Sequence, residues 1–281
     1  MTTLTQRASR NSTQVNWTLV AAVNSESVLR NNLLRNDEAR FAEEIVVVRD
    51  APSASVAYNY GIRHAKVDVV VFAHQDVFLP TGWSKNFRRC IGQLNDIDPN
   101  WGVAGVYGLT NTGMGAGFVY STGLERFVGR PFSRPVPVRT LDELLLILRR
   151  SSGLRFDDEL PGFHLYGTDI CLKAEANGMK NYVIPCFVLH NSNGLKNLPL
   201  KFWYSYWWLR RKWKHQLPIF TPCTKITKWC GPIIRSLMRR AFLYTYSSKE
   251  PGKRTPDPAL FYEERIAPLI SHKVSKDGPD I

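Results

Sequence analysis

Apolar and polar positions alternate along the first 200 residues as short apolar runs separated by amphipathic stretches. Trp17 to Val23 is one such run, Ile45 to Val48 a second, and Val67 to Ala73, broken only by Asp68, a third. Runs of this length and β-branched content predict strands covered on both faces. Between them, residues 25–41 predict a helix capped by Ser25 or Ser27, with Val28, Leu29, Leu33 and Leu34 for packing, and residues 53–66 predict another with Ser53 as cap. Trp83, Phe87, Cys90, Ile91 and Leu94 recur at helical spacing. Gly102 to Gly108 reads as a strand of small residues, and the glycines of residues 108–121 as a loop beside a ligand or a turn-rich hairpin. Pro131 to Pro137 reads as an irregular edge. Thr140-Leu-Asp-Glu143 has the pattern of a capping box opening a helix over LDELLLILRR. Thr168 is expected to cap a helix from Asp169 to Asn177, closed by Gly178 and followed by a strand from Asn181 to Ile184. Strands alternating with helices predict an α/β fold around a mainly parallel sheet flanked by helices.

The third run ends in His74-Gln75-Asp76. Strand alternation carries His74 and Asp76 to one side of the carboxyl end of that strand, the edge at which open α/β sheets bind ligands. Turn chemistry alone could also account for a polar triplet there.

The order of helix, strand and polar triplet resembles the nucleotide-sugar half of a GT-A glycosyltransferase, with Ala57, Asn59, Gly61 and Ala65 in the helix preceding the motif. The His-Gln-Asp form is similar to the glycosyltransferase-like branch of the family 2 superfamily. Downstream, Phe163-His164, Tyr166, Asp169-Ile-Cys-Leu-Lys173, Gly178 and His190 follow that branch's second motif, with Gly167 where the branch carries Asp. The resemblance covers roughly residues 15 to 195. It implies a GT-A type domain that moves a sugar from a nucleotide-sugar donor to a hydroxyl of a saccharide or lipid-linked acceptor, inverting the anomeric centre, as in polysaccharide biosynthesis. Asp76 and His190 would hold a divalent metal, Mg²⁺ or, because an imidazole ligand suits a transition metal, Mn²⁺; with histidine in place of the motif's first acid, only Asp76 of the triplet carries over as a ligand. Asp169 would be the catalytic base, with His164 as second candidate and Asp157, Asp158 and Glu159 behind them. Asn24, Asp50, Asn59, His74, Gln75 and Tyr166 would contact substrate.

Composition adds a boundary and a question. The chain has 281 residues, 44% hydrophobic and 22% charged, which suits a folded globular protein. Its five cysteines form no C-x-x-C pair, so a reducing, cytoplasmic setting is expected, and no apolar run is long enough to span a bilayer. The net charge of +13 is concentrated: residues 201–240 hold ten Lys or Arg, five of the eight tryptophans and no acid. The expected organisation is a disordered tail over 1–14, a transferase domain over 15–200 and a basic aromatic helical extension over 201–281. In KFWYSYWWLRRKWK, Phe202, Tyr206, Leu209 and Trp213 form one helical stripe that could lie in an anionic membrane at the inner face of the cell or pack on the domain. Two other functions remain open on sequence: a nucleic-acid-binding protein acting through the basic aromatic segment, and a non-catalytic sugar-binding relative of the fold.

Overall fold

The computed structural model describes residues 15–195, 197–229, 231–242 and 252–277; the tail over 1–14 lies outside them. The chain runs β1 (Trp17–Val23), α1 (Glu26–Asn31), β2 (Glu44–Arg49), α2 (Ala54–His64), β3 (Val69–Ala73), β4 (Val77–Phe78) and α3 (Trp83–Ile97). Short strands follow: β5 (Val103–Gly105), β6 (Tyr107–Leu109), β7 (Gly115–Ser121), β8 (Arg126–Gly129), β9 (Val136–Val138), β10 (Thr140–Leu141) and β11 (Leu145–Arg149). Then come α4 (Tyr166–Ala176), β12 (Asn181–Val183), β13 (Val188–His190), α5 (Leu200–Lys212), β14 (Ile219–Phe220), β15 (Lys225–Ile226), α6 (Gly231–Phe242), α7 (Pro258–Phe261) and α8 (Ala267–Asp277).

The central sheet has the order β2-β1-β3-β11-β5-β12-β9. Pairing is parallel across β2-β1-β3 and between β5 and β12, while β11 is antiparallel to both its neighbours and β9 is an antiparallel edge, so the sheet is mixed rather than mainly parallel. Alternating side chains serve two cores. Leu19, Ala21, Val71 and Ala73 face α3, where Trp17 meets Trp83 and Phe87 edge-on at 5.6 and 5.4 Å. Val20, Val70 and Phe72 face α2 and α4. Helix α2 lies so close to β1 that a Cβ on Gly61 would come within 2.4 Å of a Val20 methyl, which is the physical reason for glycine there.

The helix expected over LDELLLILRR is a strand. Leu145 to Arg149 pairs with Ala73 to Val69 on one side and with β5 on the other, and Leu144 to Leu148 are buried. A continuous apolar run is what a doubly covered central strand requires, and that burial outweighs local capping signals. Thr140 is no cap; it sits in β10 and its hydroxyl donates to the Phe220 carbonyl at 2.7 Å. Thr168 is not a cap either, since α4 begins at Tyr166 after Leu165 at φ +65°. The glycine-rich stretch after β6 is the hairpin alternative, β6 pairing antiparallel with β7.

The apolar stripe of α5 is consumed by packing. Phe202, Tyr206 and Leu209 join Leu165 and Leu172 of the α4 region and Ile219 and Ile226 of the β14–β15 hairpin in a third core. Burying each Leu or Phe there contributes about 1.5–3 kcal/mol, so this face is not offered to a membrane. Among the described residues no helix is long and apolar enough to cross a bilayer.

Candidate active site

At the end of β3 the chain turns tightly: the His74 N–H donates to the Leu144 carbonyl (3.0 Å) and the Val77 N–H to the His74 carbonyl (3.1 Å). The turn feeds β4, which pairs with β13 so that His190 lies opposite Val77. Two segments remote in sequence therefore deliver His74, Asp76 and His190 to one place, and ligand atoms from all three lie within 4.8 Å of one another. His190 Nε2 stands 3.5 Å from Asp76 Oδ1.

Burial alone would raise the Asp76 carboxyl, but the His190 contact and the charges of His190, His74 and Arg254 outweigh it and hold the group well below the carboxylate range. His190 shows the converse: burial disfavours its cation, yet the Asp76 carboxylate prevails and its pKa is raised. His74 is held neutral, chiefly by burial. The Tyr166 hydroxyl donates to the Glu143 carbonyl (3.2 Å), which leaves its oxygen to accept from His74 Nε2 at 2.8 Å. With the Tyr166 proton on that carbonyl, the neutral His74 ring would carry its own proton on Nε2 and keep a lone pair on Nδ1, so it joins Asp76 and His190 as a third candidate ligand, a role the sequence reading withheld from it. Two imidazoles and a carboxylate fit a transition ion such as Mn²⁺.

Beside this cluster lies a cavity of about 590 Å³. Asn24 and Asp50, from the ends of β1 and β2, form one wall, and His164 and Tyr166 another. Gln75 lines it too but is tied down: its Oε1 accepts the N–H groups of Asn24 and Ser25, both at 3.1 Å. Tyr58, on α2, lines it as well. His164, enclosed against the Phe202 ring at 5.5 Å, has its pKa lowered by burial and by His74.

Two expected site residues are placed elsewhere. Asn59 is buried and staples the chain after β11, donating to the Phe156 carbonyl (2.9 Å) and Asp158 (2.8 Å) and accepting the Phe156 N–H (3.0 Å). Asp169 is 1% exposed, lies outside the cavity wall, and has both oxygens occupied: Lys212 Nζ at 2.8 Å from Oδ1 and 2.9 Å from Oδ2, and Trp213 Nε1 at 2.7 Å. Lys212 also pairs with Asp157 at 2.7 Å. Asp169 therefore anchors α5 to α4 and cannot face an acceptor hydroxyl. This corrects its expected role as base.

Two groups at the site escaped the sequence reading. Arg254 reaches Asp76 Oδ2 at 3.1 Å and the Asn191 carbonyl at 2.8 Å, and its N–H donates to Asn193 at 2.9 Å. At 178 positions from Asp76 it had no local signal. Glu143, read as a capping residue, has its Oε1 accepting the Gly167 N–H at 3.3 Å. Burial and the Asp142 charge, opposed by the N–H groups of Gly167, Leu165 and Tyr166, push its carboxyl up to about 8. Two consecutive acids entering a buried strand were the available clue.

The chain belongs to the glycosyltransferase-like family, whose model matches residues 39–192, more than half its length. A 126-residue stretch is 34% identical to the protein described as ATP synthase subunits region ORF 6 of Fuscovulum blasticum, covering 43% of this chain and 50% of that one. The chain thus spans about half the length of that curated relative. Among solved structures, GalNAc-T7 with UDP, GalNAc and Mn²⁺ aligns over 94% of this chain and 58% of its own, at a TM-score of 0.46 and 13% identity. TarS 1-349 of S. aureus aligns over 62% and 60%, at 0.41 and 14%.

Proposed function

We propose that the protein is a metal-dependent, inverting glycosyltransferase that moves a sugar from a nucleotide-sugar donor to a hydroxyl of a saccharide or lipid-linked acceptor. The observation that carries this reading is the convergence of His74, Asp76 and His190 beside the cavity walled by Asn24 and Asp50, in a chain of the glycosyltransferase-like family. A divalent ion held by Asp76 and His190, with His74, would supply positive charge for the departing diphosphate.

The chain's own residues do the remainder. Arg254 sets a permanent cation beside Asp76, suited to phosphate oxygens because a guanidinium donates in a planar fork. Asn24 and Asp50 meet the nucleoside portion of the donor. Tyr166 fixes the His74 ring, and His164 flanks the sugar as a neutral imidazole. Thermal unfolding with a panel of nucleoside diphosphates and nucleotide sugars, with and without Mn²⁺, tests the reading. A ligand that binds only the folded chain raises its Tm, and Asp76→Ala and His190→Ala should each abolish the metal-dependent part of that rise. Unchanged stabilisation in both variants would remove the metal from the proposal.

A lipid-linked acceptor is supported by the exposed rim of the C-terminal region. Tyr204, Trp207 and Trp229 project there among Arg210, Arg211 and Lys228, a mixture suited to an anionic interface. Sedimentation with phosphatidylglycerol vesicles should capture the protein at low salt and release it at high salt; capture that ignores salt would discount this rim.

A further inference from the structure

Transfer to a hydroxyl needs a proton acceptor, and the carboxylates around the metal cluster are mostly committed. Asp76 is held by His190 and Arg254, Asp157 and Asp169 by Lys212, and Asp158 by Asn59. Asp142 accepts the Leu144 N–H at 3.0 Å. Glu143 is different. Its carboxylate takes backbone N–H groups at the start of α4, and none of the described lysines or arginines pairs with it.

We propose that Glu143 is the proton acceptor of the transfer reaction, its side chain filling the place at the start of α4 that residue 167, being glycine, leaves open. The inference rests on the glycosyl-transfer reading. A Cβ built on Gly167 would lie 2.9 Å from Glu143 Cγ, so a side chain at 167 and the present Glu143 exclude one another. The Tyr166 hydroxyl joins the Glu143 backbone carbonyl to His74 Nε2, which ties the segment carrying Glu143 to the metal cluster. Tyr166, the residue before Gly167, lines the cavity beside Asp76, so a carboxylate at the start of α4 borders the donor site.

As the acceptor oxygen bonds to the anomeric carbon, its proton passes to a Glu143 oxygen. The bond from that carbon to the phosphate oxygen breaks, and its electron pair leaves with the nucleoside diphosphate. A carboxyl pushed up to about 8 must first lose its proton, so turnover should rise with pH towards that value; once ionised, Glu143 is a stronger base than the His164 imidazole, which burial lowers.

The test uses the full chain with Glu143→Gln, Gly167→Asp, the double variant Glu143→Ala/Gly167→Asp, and His164→Ala. Calorimetry with UDP and GDP in Mn²⁺ reads donor-site binding, Tm reads packing, and product formation reads turnover. Glu143→Gln should bind the nucleotide as the wild type does and lose about a hundredfold or more in turnover. Gly167→Asp alone should lower Tm, and the double variant should recover both Tm and part of the turnover, because a carboxylate then reaches the same place from α4. Turnover of Glu143→Gln within about twofold of wild type, with His164→Ala inactive, would assign the proton to His164 and overturn the proposal while leaving the transferase reading intact. A wild-type chain that binds neither nucleotide in Mn²⁺ would overturn both.

Discussion

At His190, protonation and metal binding compete for one ring. The raised pKa means that pairing of the imidazolium with Asp76 stabilises the metal-free fold fully below the pKa of an unfolded histidine, and that this contribution is lost as pH rises through the raised folded value. A metal ion needs the neutral imidazole, so its affinity should grow over the same window. We expect Mn²⁺ to bind more tightly at about pH 8 than at about pH 6, a difference largely erased in His190→Gln. A pH-independent affinity in the wild type would show that His190 is not a ligand. The Lys212 ammonium poses the opposite case, a charge whose work is structural. Lys212→Met leaves Asp169 buried without its cation and should cost about 3–5 kcal/mol in urea unfolding, towards the lower figure because a quarter of the lysine side chain is exposed. Binding of nucleotide by the protein that remains folded should be unchanged; a selective loss of turnover at undiminished stability would return Asp169 to the catalytic site.

Among the elements, α2 gives the sharpest test of packing. Gly61→Ala gains about 1 kcal/mol of helix propensity, but its methyl would meet a fully buried Val20 that has nowhere to move, an overpacking cost of about 1–3 kcal/mol. The net effect should be a lower Tm, and a higher one would mean that α2 can slide on β1. Strands β1, β2 and β3 and helices α2 and α3 were legible because periodicity and burial agree there. Strand β11 was not: Thr140-Leu-Asp-Glu143 satisfies the capping-box pattern, and only the partners β3 and β5, remote in sequence, show that Leu145 to Leu148 are covered on both sides. The α5 stripe was seen as a stripe, but its destination was undetermined, because an amphipathic helix presents the same spacing to a lipid surface and to a neighbouring core. On α4, Asp169 does lie in the first turn as expected, but Lys212 and Trp213, more than forty positions later in sequence, take both its oxygens.

Across the whole molecule, what could be read of the site was its local half. His74-Gln75-Asp76 announced itself through three adjacent letters, and His190 through its place after a strand. Glu143 and Arg254 gave no such signal, and Tyr166, read from its motif, reaches His74 across 92 positions while Arg254 reaches Asp76 across 178, farther than any window of sequence spans. The positive charge follows the same pattern: the excess lies in 201–240, yet the cation at Asp76 comes from a later, nearly balanced stretch. We expect Arg254→Gln to have two effects of opposite sign. Binding of Mn²⁺ alone should strengthen, since a competing cation leaves Asp76, while binding of UDP or GDP with Mn²⁺ should weaken about tenfold or more for want of a charge-assisted contact. Parallel changes in both would mean that Arg254 only braces the fold.

The segment that brings Arg254 is sewn to the end of β13: Thr255 and Asn191 exchange two hydrogen bonds at 2.8 and 2.9 Å, and the Gly194 N–H donates to Gly252 at 2.8 Å. A ribosome delivers a chain in one direction, and earlier parts begin to fold before later ones exist. The metal ligands, Glu143 and the donor wall are all synthesised before residue 195, whereas the guanidinium that complements them emerges some sixty residues later. A nascent chain therefore carries an acidic, imidazole-lined pocket before its fixed cation, and the guanidinium that would meet an anionic donor joins it only once residue 254 has emerged.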